Sequence, residues 1–173
     1  MNLAKIQLGA GCLFAACIAL STIHPWGNPK AGIRPDAPLL EGATVPESVR
    51  ATLAAKCGDC HSERTHYPIY AHIAPVSWMM ERDIHEGRAD LNLSQWQFMN
   101  HESRINVLTR MAAEVRTGQM PPRTYVMLHP GARLSPDEQQ QVYDWAKAER
   151  KRLRQESSQA ISEISLDQKA GRP

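Results

Sequence analysis

Two thiols and an imidazole stand within five residues of one another, in Cys57-Gly58-Asp59-Cys60-His61. This is the attachment pattern of haem c, and each of its three functional residues has a separate task. The thiols of Cys57 and Cys60 add across the two vinyl groups of the porphyrin, while the two-residue spacer lets one short turn span the porphyrin edge. His61, directly after the second sulfur, then falls beneath the iron as its proximal ligand. Three other chemistries use the same residues. A dithiol redox centre would employ Cys57 and Cys60 alone, but such motifs sit in a βαβ context that this chain lacks. A zinc site needs two further ligands at suitable spacing, and the other cysteines, Cys12 and Cys17, lie in an apolar leader. A disulfide over two residues is sterically awkward and leaves His61 without a role.

An iron that only passes electrons needs both axial positions filled, because a fixed ligand set changes little on reduction and excludes oxygen chemistry. Met120, in Gly118-Gln119-Met120-Pro121-Pro122, lies just past a predicted helix end, where prolines stiffen the backbone and a thioether could point at iron. A soft thioether favours ferrous iron and raises the potential. His129, followed by Pro130, is the alternative, and bis-histidine ligation would lower the potential. Met79, Met80, Met99 and Met111 fall in helix-like runs where packing is the default, and Met127 is a further candidate. His66, His72, His85 and His101 read as surface or hydrogen-bonding residues. With the sixth position open, the same haem would instead suit a gas sensor or a small peroxidase-like enzyme.

The elements that must position these residues are helical. Pro46-Glu47 opens a run through Val49 and Leu53 to Lys56, which puts the cysteine pair at a helix C-terminus. Pro75 sits at the first turn of a helix running toward Gly87. Ser94 reads as an N-cap, and a helix from about Ser103 to Gly118 carries Ile105, Leu108, Met111, Ala112 and Val115 at three-and-four spacing. Ser135-Pro136-Asp137-Glu138 sets a cap, a first-turn proline and two acids in order, the clearest helix start in the chain. With no alternating strand pattern and no internal repeat, the expected fold is all-α with long irregular connections.

Aromatic residues are only 6 % of the chain, so a buried planar cofactor would supply rings that a protein-only core lacks. A net charge of +2, with no basic stripe threaded by aromatics, argues against a nucleic-acid partner. From Ile6 to Ile23 there are 18 residues without a formal charge, preceded by Lys5. This predicts an export leader, either an uncleaved single-pass anchor in a bacterial inner membrane or a cleaved signal, with the rest of the chain in the periplasm. The expected organisation is a membrane anchor or signal over 1–23 and a Pro/Gly-rich tether over 24–45. A mono-haem cytochrome c-like domain then covers 46–150, and a basic, then polar, disordered tail covers 151–173.

Beyond the attachment motif, the chain resembles the haem-binding-domain family of small bacterial membrane-anchored mono-haem c-type cytochromes. The likeness covers roughly Ile23 to Trp145 and rests on Cys57 to His61 followed by Ser62, on Tyr67-Pro68 and on Ala74-Pro75-Val76-Ser77-Trp78. It continues through Gly87-Arg88, Leu91-Asn92-Leu93-Ser94-Gln95-Trp96, Gly118-Gln119-Met120-Pro121, His129-Pro130 and Leu134-Ser135. Ile69 departs from that pattern, where an aromatic ring is expected. The resemblance implies one covalent haem c at Cys57, Cys60 and His61, and draws attention to both Met120 and His129. The resulting expectation is a monomeric electron carrier, not an enzyme, that meets redox partner proteins of the respiratory chain or periplasm. Trp78, Trp96 and Trp145 would line the haem crevice or fill the core.

Overall fold

A computed structural model describes residues 3–170 of the chain. Among these every regular element is helical and none is a strand, in line with the all-α expectation. The helices are α1 (Leu3–Leu20), α2 (Glu47–Lys56), α3 (Gly58–His61), α4 (Val76–Asp90), α5 (His101–Thr117), α6 (Arg123–Leu128) and α7 (Pro136–Ala170). The chain separates into two compact units, one built from the residues up to Ala37 with Asp59–Asn92, the other from Pro38–Gly58 with the residues from Leu93 on.

In the first unit the central element is α4, whose buried positions Ser77, Glu81, Ile84 and Gly87 recur at three-and-four spacing and so share one face. Short 3-10 turns at Pro29–Gly32 and Ile69–His72 pack against it. The segment after α1 is tied down by polar contacts. The Trp78 indole donates to the Ile23 carbonyl at 2.8 Å, and the Ala74 amide donates to the Ser21 hydroxyl at 2.8 Å. His24 Nδ1 meets the buried Glu81 carboxylate at 2.6 Å.

The expected N-terminal membrane helix, and with it the single-pass inner-membrane location, is corrected here. Among the described residues no helix is long and apolar enough to cross a membrane. α1 has 18 residues, about 27 Å of axis at 1.5 Å per residue, against a hydrocarbon core about 30 Å thick. Lys5 and Gln7 near its start shorten the uninterrupted apolar stretch further.

The second unit is organised by α5 against α7. Val107, Leu108, Met111, Ala112 and Val115 of α5 are buried, as are Val142, Trp145, Ala146 and Leu153 of α7. α5 begins on Asn100, whose side chain accepts from the Ser103 amide at 2.8 Å, so the helix starts slightly before the sequence places it. It ends on Gly118 at φ +69, a left-handed conformation that only glycine adopts without cost. Gly118 and Gln119 amides then close onto the Val115 and Glu114 carbonyls, forming a Schellman turn. At the start of α7 the Ser135 amide donates to the Glu138 carboxylate at 2.8 Å, and the Glu138 amide donates to the Ser135 hydroxyl at 3.2 Å. This is the reciprocal capping box that the sequence predicts.

Three segments differ from expectation. The Pro/Gly-rich stretch over 24–45 is not a plain tether, because Ala37, Leu39 and Leu40 are buried and the Leu40 amide donates to the Leu93 carbonyl at 2.9 Å. α6 follows Pro121-Pro122 where a loop is expected, Pro122 being tolerated at the N-cap because it has no helix hydrogen bond to give. α7 continues through the residues expected to form a disordered tail, as far as Ala170. Paired i,i+3 and i,i+4 contacts of Arg152 with Glu149 and Glu156 support that extension, while the last buried side chain is Leu153.

Candidate functional site

α2 ends on Cys57, whose amide still closes onto the Leu53 carbonyl at 3.0 Å while its own backbone leaves the helix (φ −122, ψ −21). One turn of α3 then carries Cys60 and His61, so local backbone geometry alone presents both sulfurs and the imidazole from a short arc. All three side chains are partly exposed, and neither cysteine is in a disulfide.

The imidazole is aimed from the first unit. His61 Nδ1 lies 2.8 Å from the Gly87 carbonyl and 3.1 Å from the Leu91 carbonyl, at the C-terminal end of α4. Carbonyl oxygens only accept, so Nδ1 holds a proton, and in the neutral ring Nε2 carries the lone pair. Among the described residues Nε2 makes no hydrogen bond. This is how a metal-binding histidine is fixed in tautomer and orientation, with one ring nitrogen tied to backbone and the other left to the metal.

Gly87 has a second role. A Cβ built at that position would lie 2.9 Å from the Cys60 carbonyl oxygen and 3.1 Å from the Cys60 Cβ. Glycine inside a helix costs up to about 1 kcal/mol relative to alanine, and here it allows α4 to rest directly on the cysteine turn. Arg88 clamps the chain that leaves the motif, donating to the Ser62 carbonyl at 2.9 Å and to the Thr65 hydroxyl at 3.1 Å. The Thr65 hydroxyl donates in turn to the Asp59 carbonyl at 2.6 Å, and the His66 amide donates to the Asp59 carboxylate at 2.9 Å. The motif is thus held on both sides before any cofactor is considered.

Electrostatics keep the second thiol protonated. Burial pushes the Cys60 thiol up to about 11 from an ordinary 9.0, the Asp83 and Asp59 carboxylates add to the shift, and Arg88 opposes it. A dithiol redox centre needs a thiolate near neutral pH, so this environment disfavours that reading. Zinc gains no support either, since among the described residues no group of three or more His, Cys, Asp or Glu side chains is set to hold a metal ion.

Cys57, Cys60 and His61 are therefore the residues that could hold a haem, and they fit it. No disulfide joins the two cysteines, and the imidazole beside them presents Nε2. In the same unit as His61, the Ser77 hydroxyl and one oxygen of Glu81 are buried without a hydrogen-bond partner among the described residues. Burial raises the Tyr67 phenol above its ordinary value, Glu81 and Cys60 add to that, and Arg88 and Thr65 work against it.

Met120 and His129 lie in the second unit. Met120 follows the Schellman turn, half-buried, with its amide on the Glu114 carbonyl at 3.3 Å. His129 is half-buried after α6, stacked on Tyr125 with ring centroids 4.2 Å apart, and its Nδ1 lies 3.1 Å from the Tyr125 carbonyl. Trp96 and Trp145 are core residues of this unit, the latter donating to the Thr44 carbonyl at 2.9 Å. Ile69, where the resemblance expects a ring, is 87 % exposed.

Sequence reasoning missed the Gly87 contact and the two carbonyls that orient His61. Backbone acceptors leave no mark in residue types, whereas a glycine inside an otherwise helical run is a readable sign of close packing. The haem-binding domain family matches residues 15–148 of the chain, and the chain belongs to that family. A search of curated proteins and a search of solved structures each found no match.

Proposed function

We propose that the chain is a periplasmic mono-haem c-type cytochrome that carries single electrons. The observation that carries this reading is the tether of His61 Nδ1 to the Gly87 and Leu91 carbonyls, which leaves Nε2 as the iron ligand. Family membership supplies haem binding, and the pair of cysteines beside that imidazole, outside any disulfide, supports a reading of covalent attachment. Addition of each S–H across one vinyl double bond would give a thioether with no external oxidant or reductant. The bound group would supply one-electron redox chemistry at iron.

The chain's own residues hold and tune that centre. Cys57 and Cys60 would hold the cofactor through both oxidation states, and His61 would ligate its iron. Met120, on a turn stiffened by Gly118 and two prolines, is the proposed distal ligand. His129 is the alternative, favoured by the Nδ1 contact to the Tyr125 carbonyl, which sets its tautomer as in His61. No substrate chemistry is assigned, and the partners are redox proteins.

The test is the absorption spectrum of the purified chain from cells competent in cytochrome maturation, oxidised and reduced, with and without carbon monoxide. A covalently bound chromophore, a reduced spectrum unchanged by carbon monoxide and a methionine-to-iron band when oxidised are expected. Rapid carbon monoxide binding would exclude the carrier in favour of a sensor or peroxidase-like protein. Met120→Ala should abolish the methionine band, and a full-strength band in that variant would reassign the ligand. His61→Ala should lose the low-spin spectrum while Cys57 and Cys60 still retain haem mass.

A further inference from the structure

Beyond Ala146 the long helix α7 sorts its charges by face. Lys147, Arg150, Lys151 and Arg154 line a single shallow groove, and their spacing places them on one side of the helix. None forms an ion pair among the described residues. Lys147 lies over the Tyr143 ring at 5.0 Å, beside Arg116 at 4.8 Å, and Arg150 donates to the Thr109 hydroxyl at 3.3 Å. The acids Glu149, Glu156 and Glu163 recur every seven residues on the opposite side, two of them paired with Arg152. The stripe of cations continues into apolar side chains. Ile161, fourteen residues after Lys147, stays on the same face at 65 % exposure, and Ile164 flanks it at 59 %.

Nothing among the described residues covers this surface. Among the described side chains of α7 the last buried one is Leu153, and no residue from Ser158 to Leu166 is buried. A helical end that short, exposed on every side, is marginal in water on its own propensity, so an occupant that covers one face would stabilise it. The stripe is also straight and about 25 Å long at 1.5 Å per residue, a line of cations flanked by isoleucines with acids turned away. That distribution matches a helix lying in the plane of a charged interface, where basic residues meet headgroups and apolar residues enter the acyl boundary.

We propose that the Lys147–Ile164 face of α7 docks on an anionic phospholipid surface, lying on the bilayer without crossing it. Charge complementarity selects the occupant. Each cation held near an anionic leaflet strengthens binding about fivefold, and the apolar pair adds a component that salt does not screen. This docking is independent of the haem reading and stands or falls separately from it.

The experiment is co-sedimentation of the full chain with vesicles of phosphatidylcholine alone or mixed with phosphatidylglycerol, at low and high salt. The expected result is partition onto the phosphatidylglycerol vesicles that weakens as salt rises, with little on phosphatidylcholine. The variant combining Lys147→Glu, Arg150→Glu, Lys151→Glu and Arg154→Glu should bind at least about 600-fold more weakly, fivefold for each of four cations. Its helical circular dichroism should match the parent chain, and a milder Arg150→Gln, Arg154→Gln variant should show a smaller loss in the same direction. Equal partition on both vesicle types overturns the proposal, as does undiminished binding by both variants, and leaves the stripe to an acidic protein partner.

Discussion

At the scale of single residues, the attachment turn is defined by what the chain denies it as much as by what it offers. Cys60 is kept protonated by burial and by two nearby carboxylates, its thiol standing at about 11 where 9.0 is ordinary. At pH 8 its thiolate fraction should be about 100-fold below that of an unfolded cysteine. In haem-free chain, iodoacetamide should therefore alkylate Cys60 about 100-fold more slowly in the native state than in urea, read by peptide mass mapping. Equal rates would show that the thiol is not shielded. Because the folded value is raised, the thiol's contribution to stability is complete below pH 9 and is lost as pH climbs toward 11. Gly87 gives a steric prediction beside this electrostatic one. Gly87→Ala places a methyl 2.9 Å from the Cys60 carbonyl oxygen, and backbone cannot step aside as a flexible side chain can. The overpacking penalty of about 1–3 kcal/mol should exceed the helix-propensity gain of about 1 kcal/mol, lowering the melting temperature and the haem yield together. A more stable variant would contradict the close approach.

At the scale of elements, the sequence is legible wherever a local rule is sufficient. Ser135 and Glu138 announce the start of α7, and the structure closes both halves of their capping box. Ser135→Ala should cost about 1 kcal/mol, measured by denaturant unfolding. The Ser135 amide, then its hydroxyl, holds the Glu138 carboxyl below its ordinary 4.5, with Lys56 assisting. That contribution is complete above pH 4.5 and is lost as pH falls through the lowered folded value, so Glu138→Gln should flatten the acid limb of the stability curve. Gly118 is equally legible, since a glycine after a periodic apolar run marks a left-handed helix end. Other elements escape such rules. α6 begins after two prolines and exposes Met127 and Leu128, so it shows no clean apolar period. Leu39 and Leu40 are buried within a stretch whose prolines and glycines suggest a tether, because their burial depends on the distant Leu93 and not on their neighbours. In the candidate site, Cys57, Cys60 and His61 could be read as a string. The Gly87 and Leu91 carbonyls could not, because they reach His61 from 26 and 30 residues away.

At the scale of the whole molecule, α7 has two parts that composition alone divides too early. A basic run from Arg150 predicts a fraying end, yet Leu153 is only 2 % exposed and its carbonyl accepts from His101 Nε2 at 2.6 Å. The structural part of α7 therefore extends to Leu153, and beyond it, as far as Leu166, no apolar side chain is buried. Leu153→Ala should remove a fully buried side chain and cost about 2–5 kcal/mol, depending on how far α5 can close the gap. Deleting residues 158–173 should instead leave the denaturant midpoint unchanged, since a stability difference requires burial or hydrogen bonds that the folded units lose. The pair of measurements separates these two parts cleanly. If the deletion destabilised the chain as strongly as Leu153→Ala, the exposed end of α7 would be a packing element, and its Ile161 and Ile164 side chains could not be free for a lipid surface.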